Sequence, residues 1–250
     1  MKKISFLTFL IIIISISCKS QKNEIEFTEV IRVNQIGFYP NSIKQFVLVD
    51  YIPSTFKIID TNGNTVFNGD FQDNGVWEQS GEHVFLGDFS ALNTIGTYYV
   101  LVDNKMQSYQ FEIKKGIYTE ALNASIKSFY FQRASMPIEV QYGGVYGRKK
   151  GHADNNCLYH PSSGKSSGAL NSPGGWYDAG DYGKYIVNAA LSTGQMLNLL
   201  ELFPNAVKDG DLNIPESGNE ISDLWDELKY ELDWVLTMQD EDGGVYHKLT

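Results

Sequence analysis

Cysteine is almost missing from this 250-residue chain: two occur, Cys18 and Cys157, so no disulfide framework staples the fold. Positive charge is also short, with 20 Lys and Arg against 30 Asp and Glu and a formal charge of −10. Proteins that grip phosphate backbones present a basic stripe, so nucleic acid is excluded as a partner. A spanning apolar run is lacking too. The most apolar stretch, Phe6 to Ile16, is interrupted by Thr8 and Ser15 and falls short of the about 20 residues a transmembrane helix needs. What the chain does have is apolar and aromatic material. Hydrophobic residues make up 42%, enough for a buried core, and rings are plentiful at 15 Tyr, 14 Phe and 4 Trp. In an acidic chain that combination favours sugar binding, since pyranose faces stack on rings and hydroxyls bond to carboxylates. The length allows one or two domains.

Residues 1–17 read as a secretory signal: Met1-Lys2-Lys3 is its positive start and the apolar stretch its core. It ends at Ser15-Ile16-Ser17-Cys18, which resembles a bacterial lipoprotein box. The expectation is export across the inner membrane and a lipid anchor on Cys18, which holds the protein at the cell envelope without spanning a membrane. Residues 18–27 then form a polar linker.

The remaining chain changes period once. Short apolar or alternating runs at Val30–Val33, Phe46–Val49, Phe56–Ile59, Thr65–Phe67, His83–Leu86, Thr97–Val102 and Tyr109–Ile113, separated by turn segments, predict a β-sandwich of immunoglobulin type over residues 28–114. From Tyr118 the period turns helical. Ala121, Leu122, Ser125, Phe129 and Gln132 share one stripe. A long loop covers Gly143 to Gly175. A second helix is predicted from Asp181 to Phe203, stopped by Pro204, with Ile186, Ala189, Ala190, Thr193, Leu197 and Leu200 on its stripe. Ser217-Gly218-Asn219-Glu220 matches a capping box before a third helix that carries Ile221, Leu224, Trp225, Leu228, Leu232 and Val235 and runs to about Gln239.

Chemistry concentrates in Pro173 to Tyr185. Asp178 and Asp181 lie three apart with rings on both sides, where the spacing predicts a loop running into a helix. A carboxylate at a helix start accepts backbone N–H bonds and feels the positive end of the dipole, which keeps it ionised and suits a general base. Two such groups near one point can align a single water and raise its nucleophilicity. Trp176, Tyr177, Tyr182 and Tyr185 are candidate stacking residues for a sugar. The acidic turns Asp209-Gly210-Asp211 and Asp240-Glu241-Asp242-Gly243 admit calcium by composition but lack the EF-hand spacing. Gly164-Lys165-Ser166 is not a phosphate loop, because Tyr159 stands where its first glycine belongs. Cys157 has no positioned base that would make it a nucleophile.

The run GGWYDAGDYGKY resembles the signature of glycoside hydrolase family 9, the endoglucanases and related β-glycan hydrolases. FYFQR, GHADNN with YHPSS, LNIPESGNEISDLWDELKYELDWVLTMQ and GGVYHK resemble the same family in the same order. The opening RVNQIGFYP resembles the immunoglobulin-like domain that precedes the catalytic domain in one subgroup. The resemblance covers roughly Val30 to Thr250. It implies an (α/α)6 barrel, of which 118–250 is the N-terminal part, and inverting hydrolysis of β-1,4-glucosidic bonds in cellulose or a related β-glucan. Asp181 is then the general base and Asp178 the partner that holds the same water. The glutamate that serves as general acid in the family has no match here, so the 250 residues alone are expected to be inactive. No cofactor is expected. Some relatives carry a structural zinc, but Ala134 and Gly151 stand where cysteines would, and His152, His160 and Cys157 do not fill a tetrahedral site. His152 and His160 are assigned instead to the loop and the cleft. Two other readings stay open: a glycan-binding surface lipoprotein without catalysis, and an exo-acting β-glucosidase or glucosaminidase of the same family.

Overall fold

The computed structural model describes residues 26–250, so the signal, the lipoprotein box and Cys18 lie outside the described residues. The described chain divides into two compact units, the first ending at Ile117 and the second starting at Tyr118.

The first unit is a two-sheet sandwich. One sheet contains β1 (Glu26–Phe27), β8 (Met106–Gln107), β7 (Gly96–Val102) and β4 (Thr55–Asp60), in that order, with β9 (Phe111–Ile113) also on β7. The other contains β6 (Glu82–Asp88), β3 (Gln45–Val49) and β2 (Ile31–Val33). The long strand β5 (Thr65–Trp77) joins them, pairing with β4 up to Asp70 and with β6 from Phe71. The seven expected strands are present, but β5 continues ten residues past the expected end at Phe67. Asn68, Asp70, Gln72 and Asp73 are exposed, so hydropathy hides a strand whose main chain pairs with β4 and then β6, with a bulge between Asp73 and Val76. Tyr109 falls outside β9.

Alternation fills the space between the sheets with Phe46 and Leu48, Phe56 and Ile58, and Val100 and Val102, all 2% exposed or less. Opposite the two phenylalanines stand glycines: Phe46 pairs with Gly87 and Phe56 with Gly69. A Cβ on Gly87 would lie 2.2 Å from the Phe46 ring, and one on Gly69 2.3 Å from the Phe56 ring. The missing side chains let the two rings meet edge to face at 4.9 Å. Phe38, Phe89 and Phe111 extend the same cluster. Much of the aromatic excess is therefore sandwich core and not sugar-binding surface.

The second unit is helical. Its long helices are α1 (Thr119–Gln132), α3 (Ile186–Leu202) and α4 (Asp223–Thr237), with a single turn, α2 (Val140–Gly143), between the first two. Two short ladders tie its loops, β10 (Cys157–Leu158) to β11 (Ala169–Leu170) and β12 (Lys184–Tyr185) to β13 (Lys248–Leu249). The helices occur where expected, yet their faces differ. In α1 the buried positions are Ile126 and Tyr130, while Ser125 and Gln132 are exposed. α3 starts at Ile186, not Asp181, because residues 178–183 close a turn of their own. α4 is capped by Ser222, whose Oγ accepts the Leu224 N–H. Ser217 makes no capping box: its hydroxyl accepts from Ile214 N–H and donates to Asp223.

Removing the Phe46 ring from its glycine-lined slot leaves a cavity that neighbouring strands cannot close. Phe46→Ala is expected to destabilise the sandwich by about 3–5 kcal/mol, read as lost hydrogen-exchange protection in β3 and β6.

Candidate active site

The segment Gly174–Tyr185 is stitched to the end of α1. Ala134 N–H donates to the Gly175 carbonyl at 2.7 Å and Tyr177 N–H to the Gln132 carbonyl at 2.8 Å. Gly175 has φ +74°, and a Cβ there would lie 2.6 Å from the Trp234 ring, so this position requires glycine on both counts. Beyond Tyr177 the chain closes on itself: Asp178 N–H donates to Gly183 O at 2.9 Å and Tyr182 N–H to Ala179 O at 3.1 Å. The closure turns Asp178 to Tyr182 out to solvent above the buried pair Trp176 and Tyr177.

Each exposed carboxylate has its own partners. Asp181 Oδ2 accepts the Tyr185 hydroxyl at 2.8 Å, and Oδ1 accepts the Gly183 N–H at 3.1 Å. Those bonds, the tyrosine's first, hold the Asp181 carboxyl below the usual carboxylate range. The cause is not the helix dipole, since α3 begins five residues later. Asp178 Oδ1 accepts from the Asn188 amide at 2.6 Å, from the first turn of α3.

The predicted aromatic platform divides. Trp176 and Tyr177 are 6% and 5% exposed, so neither ring face is open to a sugar. Trp176 packs on Phe129, and its indole N–H donates to Glu227 at 2.7 Å. Tyr182 is exposed and takes φ +59°, a costly conformation for a bulky residue. Its ring lies 4.9 Å from that of His152, and His152 Nδ1 is 2.8 Å from the Tyr177 hydroxyl. His152 thus belongs to the cluster. His160 serves its own turn, with Nδ1 2.8 Å from the Ser162 hydroxyl.

Beneath the loop lie charges that the sequence pattern did not reveal. Arg133 is fully buried and binds Glu227 through Nε at 3.1 Å and Glu216 through Nη1 at 2.9 Å. Burial works against the charge, yet the two carboxylates outweigh it and hold the guanidinium above its ordinary range. Lys184, also fully buried, donates to the carbonyls of Ser172 and Gly174 and pairs with Asp154 at 2.8 Å. Burial lowers its pKa, opposed by Asp154. The one available signal was spacing: Asp223, Glu227 and Glu231 recur every four residues in α4. Nothing in the sequence marked Lys184 or Asn188.

Among the described residues, no three His, Cys, Asp or Glu side chains group so as to hold a metal ion. The acidic turns are engaged locally: Asp240 pairs with Lys165 at 2.8 Å, and Asp209 accepts the N–H groups of Gly218 and Glu220. Cys157 is half-buried, and burial pushes its thiol up, away from a nucleophilic thiolate.

Two outcomes follow from this geometry. Arg133→Met leaves Glu227 buried without its cation and is expected to destabilise the second unit by about 3–5 kcal/mol in urea unfolding. Tyr185→Phe removes the main bond that depresses Asp181, so a carboxyl NMR titration is expected to show Asp181 moving up toward the ordinary aspartate value. A depressed carboxyl favours the folded state above its unfolded pKa and loses that advantage as pH falls through the folded one. The substitution therefore raises the pH at which this advantage disappears.

Comparisons with known proteins fit the two units in turn. The model of the cellulase N-terminal immunoglobulin-like domain matches residues 26–107. A xyloglucan-specific endo-β-1,4-glucanase of Bacteroides ovatus is 44% identical over 230 residues, 89% of this chain and 38% of that protein. Endoglucanase D of Acetivibrio thermocellus is 36% identical, over 90% of this chain and 36% of its own length. The chain thus spans little more than a third of these curated relatives. A solved Bacteroides ovatus structure superposes with a TM-score of 0.83 at 43% identity, covering 90% of this chain and 42% of that one. The fold is accordingly an immunoglobulin-like sandwich followed by the first part of an (α/α) barrel. Because the model of glycosyl hydrolase family 9 matches residues 118–249, more than half of the chain, the protein belongs to that family.

Proposed function

We propose that this chain contributes the water-activating half of an inverting hydrolase acting on β-1,4-glucosidic bonds, with Asp181 as general base and Asp178 as its partner. The observation that carries the reading is the closed turn 178–183, which exposes both carboxylates while Tyr185 and Gly183 keep Asp181 ionised. A water held between the two loses its proton to Asp181 as its oxygen attacks the anomeric carbon. The bond to the leaving sugar breaks on the opposite side, and a carboxylic acid protonates the departing oxygen. That acid comes from the part of the relatives' length that this chain does not span. Tyr182 and His152 offer the exposed ring faces for a sugar, in place of the buried Trp176. The Bacteroides ovatus relative is xyloglucan-specific by name, so a substituted β-1,4-glucan backbone is the first substrate to assay. A lipid on Cys18 would hold the enzyme at the cell envelope, where such polymers are met.

In the full-length protein, Asp181→Ala is expected to lower kcat on β-glucans by about 10²–10⁴-fold while retaining fold and glycan retention in an affinity gel. Parental turnover by this variant overturns the base assignment. Retention of β-glucan without product from the parent favours the non-catalytic reading. The first anomer seen by NMR is expected to be α, and a β product refutes inversion.

A further inference from the structure

We infer that Glu231 is a positioning residue for the Asp178–Asp181 turn, acting from beneath it through the main-chain N–H of Trp176. The inference rests on the reading of Asp178 and Asp181 as the water-activating pair. Glu231 is fully buried, and its Oε2 accepts the Trp176 N–H at 2.6 Å. One helical turn earlier on α4, Glu227 accepts the indole N–H of the same tryptophan. A single helix face therefore fixes Trp176 by main chain and side chain together, two residues before Asp178. A buried main-chain N–H needs an acceptor, and no backbone carbonyl is paired with this one.

The charges around Glu231 explain its state. Glu227 faces it from the same helix and Lys184 from β12, while the Arg133 charge is met by Glu227 and Glu216. Lys184 is itself committed to Asp154 and two carbonyls. Glu231 thus has no cation of its own, and burial raises its pKa from 4.5 to about 8. At neutral pH it carries a proton. Its Oε2 accepts from Trp176, while its Oε1 has no partner. The residue works as a neutral acceptor and not as a charge.

The test compares Glu231→Gln, which keeps an accepting oxygen, with Glu231→Leu, which keeps only the shape. Both are made in the full-length protein and read by kinetics and by the Trp176 amide in ¹⁵N-tryptophan spectra. Leu is expected to shift the Trp176 amide upfield and to cut kcat about tenfold or more, with KM within about threefold. Gln is expected to restore kcat. Parental kcat in Glu231→Leu, or equal loss in both variants, overturns the inference. Should Glu231→Leu not fold, stability against pH decides. A carboxyl with a raised pKa favours the folded state fully below its unfolded pKa and loses that advantage as pH rises to about 8. Glu231→Gln is expected to remove that decline between about pH 4.5 and 8, and an unchanged slope overturns the inference. A parent that hydrolyses no β-glucan refutes the functional reading instead, and the tryptophan spectra still judge the link from Glu231 to Trp176.

Discussion

Three buried carboxyl groups on one face of α4 hold the second unit together. Asp223, Glu227 and Glu231 are spaced four apart and are each fully buried. Asp223 accepts the N–H groups of Gly210 and Leu212 and the Ser217 hydroxyl. Glu227 takes Arg133 and the Trp176 indole. Glu231 takes the Trp176 main chain. The three carboxyls thus fasten the 210–217 loop, the end of α1 and the Trp176 segment to one rail. Apolar side chains would bury as readily but would leave those N–H groups unpaired, and a buried donor without an acceptor costs about 1–3 kcal/mol.

The arrangement is directional. Arg133 donates sideways to Glu227 and Glu216 while its carbonyl accepts from Arg148 at 2.6 Å. The same residue bridges to Trp176 in the backbone. Cation, indole and carboxylate are therefore one unit, and the strand-like contact that leads into the Asp178 turn sits directly on it. The sandwich solves a different problem by different means. There the order comes from ring shape, with glycines giving room where two phenylalanines cross.

Fold class was legible because alternation and the 3.6-residue period survive in β3, β4, β7 and α3. In β5 and α4 the exceptions share a cause: polar residues occupy places that hydropathy discounts, whereas in α1 the polar Ser125 and Gln132 of the expected stripe are exposed. Hydropathy ends β5 at Phe67 because its later polar side chains face water while its main chain pairs. On the predicted stripe of α4, Leu224 and Leu228 are fully buried, but Trp225 and Leu232 are exposed, and Glu227 and Glu231 take buried places that an apolar stripe does not include. At the site, the motif located Asp178 and Asp181, but periodicity could not separate the buried ring of Trp176 from the open ring of Tyr182. That distinction depends on Phe129 and Glu227, distant in sequence. Asn188 carries no local sign of its bond to Asp178.

Asp181 shows why the source of a charge matters as much as its sign. A helix N-terminus would have stabilised the carboxylate through dipoles that no single side chain controls. The actual partners are one hydroxyl, on Tyr185, and one N–H, on Gly183. Tyr185 pairs with Lys248 across β12 and β13, so the hydroxyl that tunes Asp181 is itself placed by the segment after α4. Asp178 is placed independently by Asn188 in α3. The two carboxylates share a turn and yet answer to different elements. Their separation is therefore fixed by how α3 and the β12–β13 ladder pack, with the α4 rail beneath Trp176 setting the turn from which both project.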